Sequence, residues 1–388
     1  MSCPRCRGAA RCVGYRARTV VSLLGTVRLG RAYYHCKVCR SGLCPWDQAL
    51  DLDASDATPA AREVVSLAGA VEAFGQAATV LARMSGLRLS ESTVQRTSEA
   101  VGADIGRRLA EGKTFGDAAD WGWHKDADGK TCAYVSIDAT GTPQQGPEAA
   151  RADGRMCAVA MVYNPIPEDR DRWSKPKARR RPAWQARYVA SLEGQAAIGE
   201  PIRRQAAQVG MDRAERWIAI SDGGAGLEDW LRIHFGRVDA VILDFFHASE
   251  HLAELAKAWH GAGTEASENQ HQQWADRLKN EGGEAVLNEL RGLKLPDRPG
   301  LRECHRATLV YFENQVHRMD YPRYRKHGWQ IGSGPIEAAC KTVIGRRLKG
   351  TGMRWSPHGA DAMSHLRALF VSEPGQWTAY WSSRTHAA

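Results

Sequence analysis

Two apolar runs that each end in an aspartate restrict this chain more than any other feature. Val135-Ser-Ile-Asp-Ala-Thr-Gly141 and Ile218-Ala-Ile-Ser-Asp-Gly-Gly224 have strand composition up to Asp138 and Asp222, and short apolar runs bounded by glycine read as buried strands. A third acid, Glu337 in Gly332-Ser-Gly-Pro-Ile-Glu-Ala-Ala339, falls in the first turn of a helix, with Ser333 as cap and Pro335 near the first helical position. A sheet that sets the two strand ends side by side gathers all three carboxylates at one edge. Carboxylates so placed repel one another unless a cation lies among them.

The alternation of elements says which sheet this is. Residues 132–137, 156–163 and 188–192 read as three strands, followed by a helix at 201–209, a strand at 217–221, a helix at 227–235 and a strand at 240–243. That order predicts an α/β fold with an RNase H-like mixed sheet flanked by helices, in which the first and fourth strands are neighbours. Asp138 and Asp222 then meet across the sheet. The stretch before Glu337 is mainly helical and reads as a helical insertion. Residues 111–131, rich in Gly, Asp and Trp, read as a linker.

The N-terminus has a different character. Cys3 and Cys6 form one Cys-x-x-Cys pair and Cys36 and Cys39 another, separated by alternating apolar residues that read as a β-hairpin turning near Gly25. Two such pairs match a tetrahedral thiolate site for structural zinc. Cys12 and Cys44 are taken as non-ligands. From residue 60 to 109 the apolar spacing becomes helical, Gly86 interrupts it, and Ser90 opens a new helix. Helix, Gly-containing turn and helix outline a helix-turn-helix, whose second helix offers Ser92, Thr93, Gln95 and Arg96 to a major groove.

The expected organisation is therefore a zinc-binding domain at residues 1–50, a helical DNA-binding domain at 51–112, a first part of the catalytic core at 113–250, a helical insertion at 251–330 and C-terminal core helices at 331–388. With 53 Lys and Arg against 44 acids the 388-residue chain carries a formal charge of +9, which favours a polyanionic partner. The basic positions read as DNA contacts are Arg5, Arg7, Arg31 and Lys37 near the cysteines, Arg179, Arg180 and Arg181 in a loop interleaved with Trp173 and Trp184, and Arg346, Arg347, Lys349 and Arg354 beyond Glu337. Lys341, four residues after Glu337, shares its helical face and is read as an accessory phosphate contact. No apolar run is long enough for a membrane span, so a cytoplasmic, nucleoid-associated protein is expected.

An all-oxygen ligand set suits two Mg²⁺ or Mn²⁺ ions, which can activate an attacking hydroxyl and stabilise a leaving oxygen. The expectation is phosphoryl transfer on nucleic acid. The Cys-x-x-Cys pairs, Tyr33-Tyr-His-Cys36, Ser136-Ile-Asp-Ala-Thr-Gly141, Leu243-Asp-Phe-Phe-His-Ala-Ser-Glu-His-Leu252, Gly332-Ser-Gly-Pro-Ile-Glu-Ala-Ala-Cys-Lys341 and Arg347-Leu-Lys-Gly-Thr-Gly-Met-Arg-Trp355 resemble the ISKra-type insertion-sequence transposases, relatives of the Mutator-like group, across nearly the whole chain.

The resemblance implies a DDE transposase that uses Mg²⁺ to cleave and join double-stranded DNA at terminal inverted repeats and target, working as a homo-oligomer. It makes Asp138 the first acid and Glu337 the last. Asp222 and Asp244 compete for the middle position: Asp222 ends the fourth strand, and Asp244 with His247 fits an accessory Asp-x-x-His element. His247 and His251 are assigned no metal. A DNA-binding regulator with an inactive core, or an RNase H-like nuclease, is the alternative.

Overall fold

The computed structural model describes residues 1–53, 55–165, 185–372 and 375–385. They form two compact units, one made of residues 1–108 and 358–388 and the other of residues 109–357.

The first unit begins with a long antiparallel hairpin. β1 (Ala10–Ser22) pairs with β2 (Gly25–Cys36) from Ala10↔Cys36 to Ser22↔Gly25, and β3 (Gly42–Leu43) adds a short third strand to β2. The tight turn at Leu23–Leu24 needs Gly25 at φ +102, a conformation that costs glycine little. After α1 (Pro45–Ala49), the chain returns along β1, where Val21 N–H donates to the Asp56 carbonyl and Thr58 N–H to that of Val21. Three helices follow: α2 (Pro59–Val71), capped by Thr58 on Ala61 N–H, α3 (Phe74–Met84) and α4 (Glu91–Ala110).

The second unit is built on one sheet. Its strands are β4 (His124–Lys125), β5 (Thr131–Gln145), β6 (Arg151–Asn164), β7 (Gln185–Ser191), β8 (Arg216–Ser221) and β9 (Ala240–Leu243). The spatial order is β7-β6-β5-β8-β9, with β4 also paired to β5. β5 runs antiparallel to β6 and parallel to β8, so the sheet is mixed. One apolar face of the sheet is covered by α5 (Gln195–Gln208) and α6 (Leu227–His234). The expected linker joins this core: Trp121 and Trp123 are buried against the sheet, and Trp123 Nε1 donates to the Gly210 carbonyl at 3.0 Å. Its many Gly and Asp residues conceal two tryptophans that bury large apolar rings.

Beyond β9 the chain is helical: α7 (Phe245–His260), α8 (Glu265–Glu281), α9 (Gly283–Gly292), α10 (Pro299–Gln315) and α11 (Tyr321–Lys326). It then returns to the sheet through α12 (Gly334–Ala339), a π-helical turn over Cys340–Gly345 and the short α13 (Arg346–Leu348).

The last helices, α14 (Pro357–Val371) and α15 (Gln376–Thr385), belong to the first unit. This corrects the expectation that residues 331–388 form one set of core helices. The reason is packing: a Cβ at Gly102 of α4 would lie 2.0 Å from the Ala362 carbonyl oxygen, so only glycine admits this approach. Arg367 donates to the Ala70 carbonyl at 2.9 Å, and Tyr380 Oη to Asp104 at 2.9 Å. Among the described residues no helix is long and apolar enough to cross a membrane.

Candidate metal centres

The four paired cysteines converge. Cys3, Cys6, Cys36 and Cys39 place their ligand atoms all within 4.8 Å of one another, with Cys3–Cys39 and Cys6–Cys36 Sγ separations of 3.6 Å each. A tetrahedron with Zn–S bonds of about 2.3 Å has edges of about 3.8 Å, so the donor set and spacing fit structural zinc. The register brings Cys36 to the end of β2 opposite Ala10, just beyond the turn that carries Cys3 and Cys6. Ser41 Oγ, with the Cys6 and Arg5 backbone, draws the Cys3 thiol down to about 6. Cys6, although a Gly8 hydrogen bond favours its thiolate, is pushed up to about 12 by Cys39 and Cys36. Crowded sulfurs resist common deprotonation, and a bound cation removes that penalty. Cys12 is exposed and bonds to the Gly14 carbonyl, and Cys44 precedes α1, so neither joins the cluster.

The second centre lies at the strand ends of the other unit. Ser136 pairs with Ile220 in the parallel β5–β8 register. Continuing by two residues sets Asp222 beside Asp138. Asp138, Asp222, Asp244 and Glu337, with His247 and Glu250, line one cavity of about 270 Å³. Burial raises the Asp138 carboxyl above the usual range, and repulsion from Asp222 and Glu337 adds to it, against the pull of the Ala139 N–H and the Cys340 thiol. The Cys340 thiol donates to Asp138 Oδ2 at 3.5 Å. Among the described residues the cysteine group alone has three or more potential ligand atoms within 4.8 Å of one another, so these acids ring the cavity without converging.

The two competitors for the middle position differ in their surroundings. Asp222 is half-buried and uses Oδ1 to accept from Gly224 N–H at 2.9 Å. Asp244 is 3% exposed, and its carboxylate accepts from the backbone N–H groups of Phe246, His247 and Ser333. It is the N-cap of α7 and the tie between that helix and the segment leading to α12. β8 also separates it from β5. Ser333 does not cap α12 with its side chain as the sequence suggested. Its hydroxyl donates to Glu337 Oε1 at 2.9 Å instead and orients the acid.

Two residues of the helical segment brace this centre and gave no sequence signal. Arg318 is 1% exposed and spreads its guanidinium beneath the ends of β8 and β9. It donates to Ser221 Oγ at 2.7 Å and to the carbonyls of Ser221 and Asp222 at 3.3 Å and of Val241 and Ile242 at 3.4 Å. Tyr311 stacks on His251 with ring centroids 3.8 Å apart. A Cβ at Gly223 would lie 2.7 Å from its ring, so glycine directly after Asp222 admits the tyrosine. Burial pushes the Tyr311 hydroxyl up.

The remaining expected contacts divide by exposure. Arg5, Arg7, Lys37, Gln95, Arg96, Arg346, Lys349 and Arg354 are exposed, and Thr93 is half-buried. Arg31 is not available to a partner: it is 9% exposed and paired with Asp47. Arg347 is likewise 2% exposed, over the Trp355 ring. Basic runs mark charge but not which way a side chain turns, and a stretch this rich in arginine supplies internal ion pairs as well. Lys341 is exposed and does not line the acid cavity, because the π-turn beginning at Cys340 breaks the 3.6-residue spacing from Glu337. Arg179, Arg180 and Arg181 lie outside the described residues, as do Trp173 and Trp184. A scan of the chain against protein-family models finds no match, and neither does a search of curated proteins.

Proposed function

We propose that the second unit is an RNase H-like phosphoryl-transfer core and that the chain is a DDE transposase acting on double-stranded DNA. The observation that carries this reading is the meeting of Asp138, Asp222 and Glu337 at one cavity from distant parts of the sequence. The strand order β7-β6-β5-β8-β9, with a parallel β5–β8 pair at its centre, supports it. Asp138, Asp222 and Glu337 would hold one or two Mg²⁺ or Mn²⁺ ions, which when bound activate an attacking hydroxyl and stabilise the leaving oxygen of a phosphodiester. The fit rests on an all-oxygen donor set and on the mutual repulsion that raises Asp138.

The chain's own residues supply positioning. Ser333 holds the Glu337 carboxylate, Arg318 fixes the backbone on which Asp222 stands, and Asp244 pins α7 to the approach to α12. Exposed Lys349 and Arg354 offer charge to DNA phosphates. In the first unit the zinc-type knuckle and the exposed start of α4, with Ser92, Gln95 and Arg96, suit binding of element ends.

The test is Mn²⁺- and Mg²⁺-dependent nicking of supercoiled DNA by the purified protein, followed by joining of a terminal-repeat duplex to a target. Nicking that survives Asp138→Asn, Asp222→Asn and Glu337→Gln together would refute the reading.

A further inference from the structure

A second cleft opens beside the acid cavity. It has a volume of about 480 Å³ and is walled by the far end of the β5–β6 hairpin, with Thr142, Gln144 and Gly154, and by the segment carrying Lys349, Gly352 and Arg354. That segment is tied to β5: Gln145 N–H donates to the Trp355 carbonyl at 2.8 Å, Trp355 N–H to that of Pro143 at 3.2 Å, and Lys349 Nζ to Thr140 Oγ1. Gly352 sits at φ +76, a conformation that costs glycine little.

The cleft wall contains polar groups that the fold does not satisfy. Thr142 is fully buried and its Oγ1 has no hydrogen-bond partner among the described residues. Gln144 is 4% exposed. Its amide nitrogen donates to the Thr142 and Pro143 carbonyls, and its Oε1 is left without a partner. Buried polar groups in this state cost stability. A hydroxyl and an amide oxygen in one wall, with two cationic side chains in the other, match the chemistry of a nucleoside phosphate.

The position along the strand says where that nucleotide comes from. Thr140, which holds Lys349, is two residues beyond Asp138, about 7 Å of extended strand. This spacing is comparable with that between neighbouring phosphates of a nucleic-acid strand. We infer that the cleft seats one nucleotide of the DNA strand under attack, its phosphate on Lys349 and Arg354 and the hydrogen-bonding edge of its base or sugar against Thr142 and Gln144. The inference rests on the transferase reading and deepens it, since it makes the substrate strand leave the duplex next to the acids.

The full-length protein, without divalent cation, is titrated with dAMP and separately with a single-stranded DNA hexanucleotide. Saturable binding of both is expected, the hexanucleotide more tightly. Lys349→Ala and Arg354→Ala weaken each at least fivefold. Thr142→Val, which removes the unpartnered hydroxyl without changing shape, raises the melting temperature yet weakens dAMP at least threefold, a pairing that a purely structural threonine does not produce.

Binding that is absent, or insensitive to Lys349→Ala and Thr142→Val, overturns the cleft even where the wild type nicks DNA. Exclusion of the hexanucleotide from a cleft that takes dAMP overturns the strand assignment. Normal cleft binding with no nicking at any metal concentration overturns the transferase reading instead, and leaves a nucleoside-phosphate site.

Discussion

The cysteine cluster and the acid cavity gather potential ligand atoms in two different ways. Four sulfurs close to within 4.8 Å, two of them from the turn before β1 and two from the end of β2 and the turn after it. The acids come from β5, the end of β8 and α12, and they ring a cavity of about 270 Å³ without converging. A closed shell leaves no position for a substrate, and an open one does. The first arrangement fits structural zinc, and the second serves chemistry only under the transferase proposal. The open site is also braced differently: neutral and cationic donors such as Ser333 and Arg318 position acids whose charges oppose one another.

The largest test of this contrast is removal of zinc. One zinc per chain is expected by elemental analysis, and Cys36→Ser or chelation should strip hydrogen-exchange protection from β1 and β2 while β5 and β8 keep theirs, because structural zinc contributes roughly 10 kcal/mol in small domains. Retained protection of the hairpin in Cys36→Ser would break the comparison.

Next is Asp222→Ala, expected to lower metal-dependent nicking about a thousandfold, since loss of a metal ligand removes several kcal/mol of transition-state stabilisation, with little change in melting. Asp244→Ala should do the reverse and cost about 1 kcal/mol of stability as a lost helix cap, read from urea denaturation. Inverted results would exchange the two roles.

Arg318→Met should cost about 3 kcal/mol by orphaning carbonyls of β8 and β9, again measured in urea. Wild-type stability in this variant would remove the brace from the account.

The smallest effect concerns pH. Because the folded Asp138 carboxyl is raised, the native state holds that proton more tightly than the unfolded chain. Its stabilising contribution is complete below the unfolded value of about 4 and is lost as pH rises through the raised folded value. Asp138→Asn should therefore raise the melting temperature of the metal-free protein at pH 7.5, do less at pH 4, and reduce the further rise that Mn²⁺ gives the wild type. An equal effect at both pH values would show that burial alone, not charge, sets the behaviour of this site.

Much of the second unit was legible because strands buried on both faces leave unbroken apolar runs, and Ile137 and Ile220 carry that signal up to their aspartates. Glu337 was legible through Ser333 and Pro335, although Ser333 turned out to serve the acid and not the helix. Arg318 was hidden because a single arginine in His317-Arg-Met-Asp320 looks like a solvated one, and only tertiary packing puts it under the sheet. Arg31 and Arg347 were misjudged for the converse reason, as charge density carries no information on facing. What distinguishes Asp222 from Asp244 in the structure is their backbone N–H partners, which sequence does not display.

One feature of the chain's path has a bearing on its synthesis. The first unit is interrupted: residues 1–108 are joined by α14 and α15 only after residues 109–357 have been made. Gly102 and Ala70 thus wait for Ala362 and Arg367 until the whole second unit has been translated. A ribosome that stalls or terminates within residues 109–357 releases a polypeptide whose first unit lacks its closing helices, so a truncated product carries that unit incomplete.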